Sequence, residues 1–199
     1  MKKLQSTLPN MLCVLTLIAV IAAGALAYVN KITKGPIKEN DAKSLSEGID
    51  AVLGVKGAQV ASQDTILNEK GKIQAIVYNT DKGVAVKSID PQGFGGDLAV
   101  LVGFSTDGSI KGYAILETHE TPGLGSKADK WFQADGKGNI IGKNLGDAKY
   151  ANGLAVSKGD GGDVDAITAS TITSRAFLRA VNQAYGAYSG KLKAEKSNK

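Results

Sequence analysis

The sequence predicts an α+β protein: one N-terminal transmembrane helix, then one domain with an antiparallel-rich sheet and flanking helices. Three observations carry this. No residue from Leu4 to Asn30 is charged. Between Ile73 and Leu116, apolar side chains recur at every second position across turn-forming residues. From Phe177 to Tyr188 they recur at helical spacing. A chain of 199 residues suits one membrane segment plus one domain of roughly 150 residues.

The first element is the run Met11 to Val29, MLCVLTLIAVIAAGALAYV. At 1.5 Å per residue it spans close to the ~30 Å hydrocarbon core of a bilayer. Lys2 and Lys3 precede it, and Lys31, Lys34 and Lys38 follow. Both flanks are therefore basic, and charge does not orient the helix. The competing reading is a cleaved signal peptide, with Ala25-Leu26-Ala27 as its site. The apolar run continues past that site, which favours a retained anchor. Beyond Pro36 a separate helix is expected, with Ala42, Leu45, Ile49 and Val52 on one face and Gly54 as its stop.

Strands follow. Ile73, Ala75 and Val77 lead through the turn Asn79-Thr80-Asp81-Lys82-Gly83 to Val84 and Val86. Leu98, Val100, Val102 and Phe104 share one face of the next strand. The turn Ser105-Thr106-Asp107-Gly108 leads on to Ile110, Gly112, Ala114 and Leu116, making the clearest hairpin in the chain. A short helix fits Lys127 to Gln133, weighted by Trp131 and Phe132. The stripe Phe177, Ala180, Val181, Ala184, Tyr185 and Tyr188 marks an amphipathic helix docked on the sheet. The basic tail, residues 191–199, has no apolar face and is expected to be disordered.

Composition excludes several classes of chemistry. One His and one Cys leave no room for a Cys-His zinc site, an iron–sulfur cluster or a disulfide framework. Cys13 lies in the membrane run, and the thiol-free domain suits an oxidising compartment. The net charge of +5 does not indicate nucleic acid: residues 39–190 hold 15 basic and 18 acidic side chains, and the excess sits at the two ends. His119 is the lone imidazole, no G-x-S-x-G elbow is present, and the dinucleotide fingerprint fails because Leu98 stands at its third glycine. Asp160 and Asp163 miss calcium-loop spacing and read as a solvated acidic loop. Sixteen of the 25 glycines lie between Gly93 and Gly162, so this stretch needs backbone freedom or close approach to something.

Two segments remain as candidate sites. In Glu120-Thr121-Pro122-Gly123-Leu124-Gly125, Pro-Gly fixes a turn and the glycines let backbone amides approach a ligand. Leu124 could pack on a flat ring, and an ordinary turn is the alternative. In Asp165 to Arg175, Thr168, Ser170, Thr171, Thr173 and Ser174 supply five hydroxyls in seven residues, with Ile172 between the last three. Such hydroxyls before a helix suit a phosphate, with Arg175 one turn in to pair with it; a Ser/Thr-rich cap is the alternative.

Taken together, ETPGLG and DAITASTITSRA resemble the corresponding segments of the covalent FMN-binding domains. That family includes the G subunit of the Rnf electron-transport complex and the C subunit of the sodium-pumping quinone reductase. The similarity covers nearly the whole chain: the anchor, Gly93-Phe94-Gly95-Gly96 with the following hairpin, ETPGLG, Trp131 and the hydroxyl-rich segment. The short chain looks more like the Rnf subunit. The resemblance implies one FMN per chain, joined by a phosphoester bond to Thr171 and installed by a separate flavin transferase. The family's Ser/Thr-Gly-Ala-Thr motif reads Thr168-Ala169-Ser170-Thr171 here, so Ala replaces Gly and Ser replaces Ala. Ser170 and Thr173 are the alternative acceptors, and Asp165 matches the aspartate that opens the transferase's motif. ETPGLG is implied to contact the isoalloxazine ring. The expected layout is a cytoplasmic N-terminus at 1–10, a transmembrane helix at 11–30 and a periplasmic FMN-binding domain at 31–190, with the flavin site around 93–175. The expected setting is the bacterial inner membrane, beside the other membrane subunits of an Rnf complex that couples ferredoxin–NAD electron transfer to ion movement. The alternatives are a C-type quinone-reductase subunit, a stand-alone exported flavin protein, or an assembly module without flavin.

Overall fold

A computed structural model describes residues 7–190, and the tail at 191–199 lies outside the described residues, as does most of the expected cytoplasmic segment. The chain divides into two units between Ser44 and Leu45. Helix α1 (Leu8–Leu53) runs through that boundary with Pro36 inside it, so the separate helix expected after Pro36 is not observed. Proline lacks the amide donor and its ring crowds the carbonyl four residues back, but the turns on either side keep their own hydrogen bonds. Leu8 to Pro36 is long and apolar enough to cross a membrane. α1 stops at Gly54, whose φ is +65°, as the sequence predicts.

The second unit is built on a five-stranded antiparallel meander in chain order, β1 (Val60–Leu67), β2 (Ile73–Thr80), β3 (Gly83–Asp90), β4 (Leu98–Phe104) and β5 (Ile110–Glu117). β1 was not expected from the sequence. Its residues VASQDTIL are mostly exposed, so no alternating apolar signal marks it, and its ladder to β2 holds it at the sheet edge.

Helix α4 (Thr171–Tyr188) covers one face of the sheet. Phe177, Ala180, Val181 and Ala184 of its predicted stripe are buried, packed with Val77, Val86, Val100, Val102 and Phe104. Ile49, Val52 and Leu53, at the end of α1, cover the other face against Tyr78, Ala85 and Leu101. β4 is therefore buried on both faces, where the sequence indicated one. Val52 comes so close to Gly103 that a Cβ there would collide with its carbonyl oxygen.

Ile110, Gly112, Ala114 and Leu116 do not share a face, contrary to the alternation. A register shift opposite Gly103 and Phe104 adds a residue to β5. Ile110 and Tyr113 consequently face α4, whereas Ala114 and Leu116 face α1. The predicted short helix appears as a 3₁₀ turn at Gly125–Lys127 followed by α2 (Ala128–Trp131). Phe132 then stacks on Phe177 at 4.3 Å. The Tyr113 hydroxyl donates to the Ala128 carbonyl at 2.6 Å and accepts from the Phe132 amide. Burial pushes this phenol's pKa up. The remaining helix, α3 (Ser157–Asp160), is a single turn.

Asp163 is not simply solvated. It accepts from Lys143 and Lys149 at 2.9 Å each and from the Tyr150 hydroxyl at 3.2 Å. Burial works to raise its pKa, but the hydrogen bonds from Lys149 and Lys143 outweigh it and hold the carboxyl at about 2.

Candidate functional site

Three segments converge at one end of the sheet: the β3–β4 connection, the chain leaving β5, and the start of α4. The first is fixed by Asp90, whose carboxylate is 2% exposed and accepts two hydrogen bonds of 2.9 Å from Arg179 on α4. Arg179 also donates to the Gln92 carbonyl, drawing the connection onto the helix. This places Gly93-Phe94-Gly95-Gly96 beside the second segment.

Glu120 ties all three together. Its Oε1 accepts from the Phe94 amide at 2.8 Å, and its Oε2 accepts from the Thr173 hydroxyl at 2.7 Å. Glycine is required around this brace. A Cβ on Gly125 would lie 2.5 Å from Glu120 Oε2 and 2.8 Å from the Thr173 hydroxyl oxygen, and a Cβ on Gly95 would collide with the His119 carbonyl. The Thr121–Leu124 turn closes through Leu124 N–H to Thr121 O at 3.1 Å. Gly123, with φ +76°, donates to the Ser126 hydroxyl.

The third segment enters α4 through Ala169, the one non-glycine among the described residues with positive φ, at +62°. The five hydroxyls then separate. Ser174 is fully buried, accepting from Ile167 N–H and donating to Ser170 O. Thr173 is 1% exposed and committed to Glu120. Ser170 is buried at the N-cap position without capping the helix through its side chain. Thr168 is exposed and Thr171 half-buried.

A cavity of about 410 Å³ lies between these segments, lined by Phe94, Glu120, Thr121, Leu124, Gly125 and residues 169–173. Phe94, Leu124 and Ile172 are exposed around it, at 67%, 40% and 52%. Such apolar surface beside a buried carboxylate and a helix N-terminus can take a flat, amphipathic ligand with an anionic end. On the other side of Thr171 lies a second cavity of about 410 Å³, lined by Trp131, Lys137, Ser157, Asp165, Ala166, Ile167 and Thr168. Thr171 lines both cavities. A wider recess of about 520 Å³ along Ser126–Lys137 holds none of the glycine or hydroxyl motifs.

The candidate residues are thus divided. Glu120, Thr121, Leu124, Gly125, Ser170, Thr171, Ile172 and Thr173 line the first cavity, with Pro122 and Gly123 in the adjoining turn. Trp131, Asp165 and Thr168 line the second, where Asp165 accepts from the Ser157 hydroxyl and the Trp131 indole donates to the Asp165 carbonyl. Ser174 is a buried strut. Arg175 is exposed and reaches toward Gly159. Sequence reasoning missed Phe94 and Ala169 as cavity residues. An aromatic among three glycines, and an alanine at a motif glycine, were the available signals.

An FMN-binding domain model matches residues 93–186. The chain is 36% identical to the G subunit of the ion-translocating oxidoreductase complex of Escherichia coli (strain K12), an alignment covering 92% of this chain and 91% of the relative. The chain belongs to the family of ion-translocating oxidoreductase complex G subunits. The same-named protein of Shewanella baltica (strain OS223) is 33% identical over 85% of this chain and 84% of its own length. That of Vibrio atlanticus (strain LGP32) is 30% identical over 86% and 85%. Within this G-subunit chain, the matched FMN-binding domain starts at the glycine loop and ends inside α4. It therefore spans every wall of the cavity beside Glu120.

Proposed function

We infer that this chain is the flavoprotein subunit of an ion-translocating oxidoreductase complex and carries one FMN, esterified through its phosphate to Thr171. The observation that carries the reading is the position of Thr171. It is the one hydroxyl of the cluster that lines both cavities, while Ser170, Thr173 and Ser174 are buried. The cavity suits the group: it holds about 410 Å³ beside the start of α4, and the exposed Phe94, Leu124 and Ile172 offer apolar wall to a flat ring. The N-terminus of α4 favours the negative phosphate by about 0.3–1 kcal/mol at an exposed site.

Bound there, FMN supplies the electron-carrying chemistry. The chain's own residues hold, orient and shield. Phe94, Leu124 and Ile172 would present apolar wall to the ring, Glu120 locks the two loops to α4, and a bond at Thr171 would prevent dissociation. No side chain is needed as acid or base, consistent with one His and one Cys.

In this reading residues 11–30 span the bacterial inner membrane once, from a cytoplasmic N-terminus to a periplasmic domain at 31–190. The remaining membrane subunits of an Rnf-type complex are the electron-transfer partners, and a flavin transferase matures the chain. Co-expression with a flavin transferase followed by intact-mass measurement tests this. One FMN increment is expected, lost in Thr171→Ala. An unmodified parent chain rejects the flavoprotein reading, and an increment surviving in Thr171→Ala rejects the acceptor.

A further inference from the structure

Building on the reading that FMN occupies the cavity beside Thr171, we propose that Glu120 is a positioning residue whose fixed negative charge lowers the reduction potential of the flavin. Glu120 is 9% exposed and lines the cavity. Among the described residues, the groups that reach its carboxylate are both neutral: the Phe94 amide at 2.8 Å and the Thr173 hydroxyl at 2.7 Å. No described cation pairs with it. By contrast, Asp90 and Asp163 are matched by Arg179 and by Lys143 and Lys149. Two neutral donors satisfy hydrogen bonding without cancelling the charge, so its field persists in the surrounding low dielectric.

The charge is also held in place. One oxygen is anchored to the β3–β4 connection and the other to α4, so the carboxylate cannot turn toward water without breaking both bonds. Glycine clears the space on both sides, because a Cβ on Gly93 would lie 2.9 Å from Oε1 and one on Gly125 2.5 Å from Oε2. Reduction adds negative charge to a ring in this cavity, and the Glu120 charge opposes it. The electrons come from one redox partner and leave to the next, and Glu120 carries none of them. Across several ångströms, at an effective dielectric constant of about 20, one unit charge changes the electron-transfer equilibrium by about tenfold or more. For a one-electron couple a tenfold change is about 59 mV.

Glu120→Gln separates charge from shape. The amide oxygen still accepts from Phe94 N–H, and the amide nitrogen donates to a Thr173 hydroxyl that rotates to receive it. Glu120→Asp keeps the charge on a shorter arm. The full-length chain and both variants are co-expressed with a flavin transferase, purified in detergent and weighed intact. Their midpoint potentials are then measured by spectroelectrochemistry. The expected result is a midpoint for Glu120→Gln more positive by at least a tenfold equilibrium change, with Glu120→Asp within threefold of the parent. Equal potentials for Glu120→Gln and the parent overturn the proposal. So does an equal shift in both variants, which assigns the effect to packing, or a Glu120→Gln chain that carries no flavin while the parent does. A parent chain without flavin instead overturns the reading of the cavity itself.

Discussion

The Thr173 hydroxyl donates to Glu120 Oε2 across 2.7 Å, joining the first turn of α4 to the chain that leaves β5, 53 residues earlier. Both groups are buried, so either one left without the other loses most of its hydrogen bonding. The same carboxylate holds the Phe94 amide, and one side chain thereby fixes three walls of the cavity. Thr173→Val keeps the shape and removes the donor. The expected loss is about 1.5–3 kcal/mol, the range for hydrogen bonds to charged groups. At about 2–4 °C per kcal/mol, calorimetry of the detergent-solubilised chain would resolve it. An unchanged melting temperature would remove Glu120–Thr173 from the structural account.

Ala169 adopts a left-handed conformation, φ +62°, that suits glycine better than alanine. Ala169→Gly is expected to stabilise the protein by about 1 kcal/mol, because relief of Cβ strain exceeds the added freedom of the unfolded chain. Urea midpoints of the two proteins check the sign. Destabilisation by glycine would contradict the left-handed assignment.

Asp90 is 2% exposed and depends on Arg179, which is itself 38% exposed. Arg179→Ala strands a buried carboxylate. The expected cost is about 2–3 kcal/mol, below the 3–5 of a fully buried pair because water reaches the arginine side. Arg179→Lys should recover less than half of this, since an ammonium cannot present the two-pronged geometry seen here. Denaturant unfolding measures both, and full recovery by lysine would show that charge alone suffices.

Asp163 has a folded-state pKa of about 2, below its ordinary 3.8. A depressed carboxylate pKa contributes stability that is fully present above the unfolded value. That contribution is lost as pH falls from about 3.8 through about 2. In Lys149→Ala one of its two lysine partners is gone, and its titration should move up toward the usual carboxylate range. Carboxyl ¹³C NMR of both proteins follows this directly; an unmoved titration would show that Lys149 does not hold the charge.

Much of this architecture was written locally. The alternation through β2 to β4, the turn at Gly108, the stripe of α4 and the stop at Gly54 each follow from residues within one element. The candidate segments were equally legible, because ETPGLG and the hydroxyl cluster are contiguous. β1 escaped notice because its stability comes from β2 rather than from an apolar face. The face exchange between Ile110 and Ala114 escaped because a bulge depends on the partner strand.

The division at the site follows the same physical rule. Residue order alone carried the apolar anchor run, the α+β class and the hydroxyl-rich entry to α4, since propensity and periodicity act over a few residues. Which hydroxyl stays accessible, and what Glu120 does, were decided only by packing. Thr173, Ser174 and Thr171 are alike in a sequence, yet burial against the chain leaving β5 and the turn before α4 commits two of them and leaves Thr171 between two cavities. The partners of Glu120 lie 26 and 53 residues away, a distance that only the folded sheet and helix close.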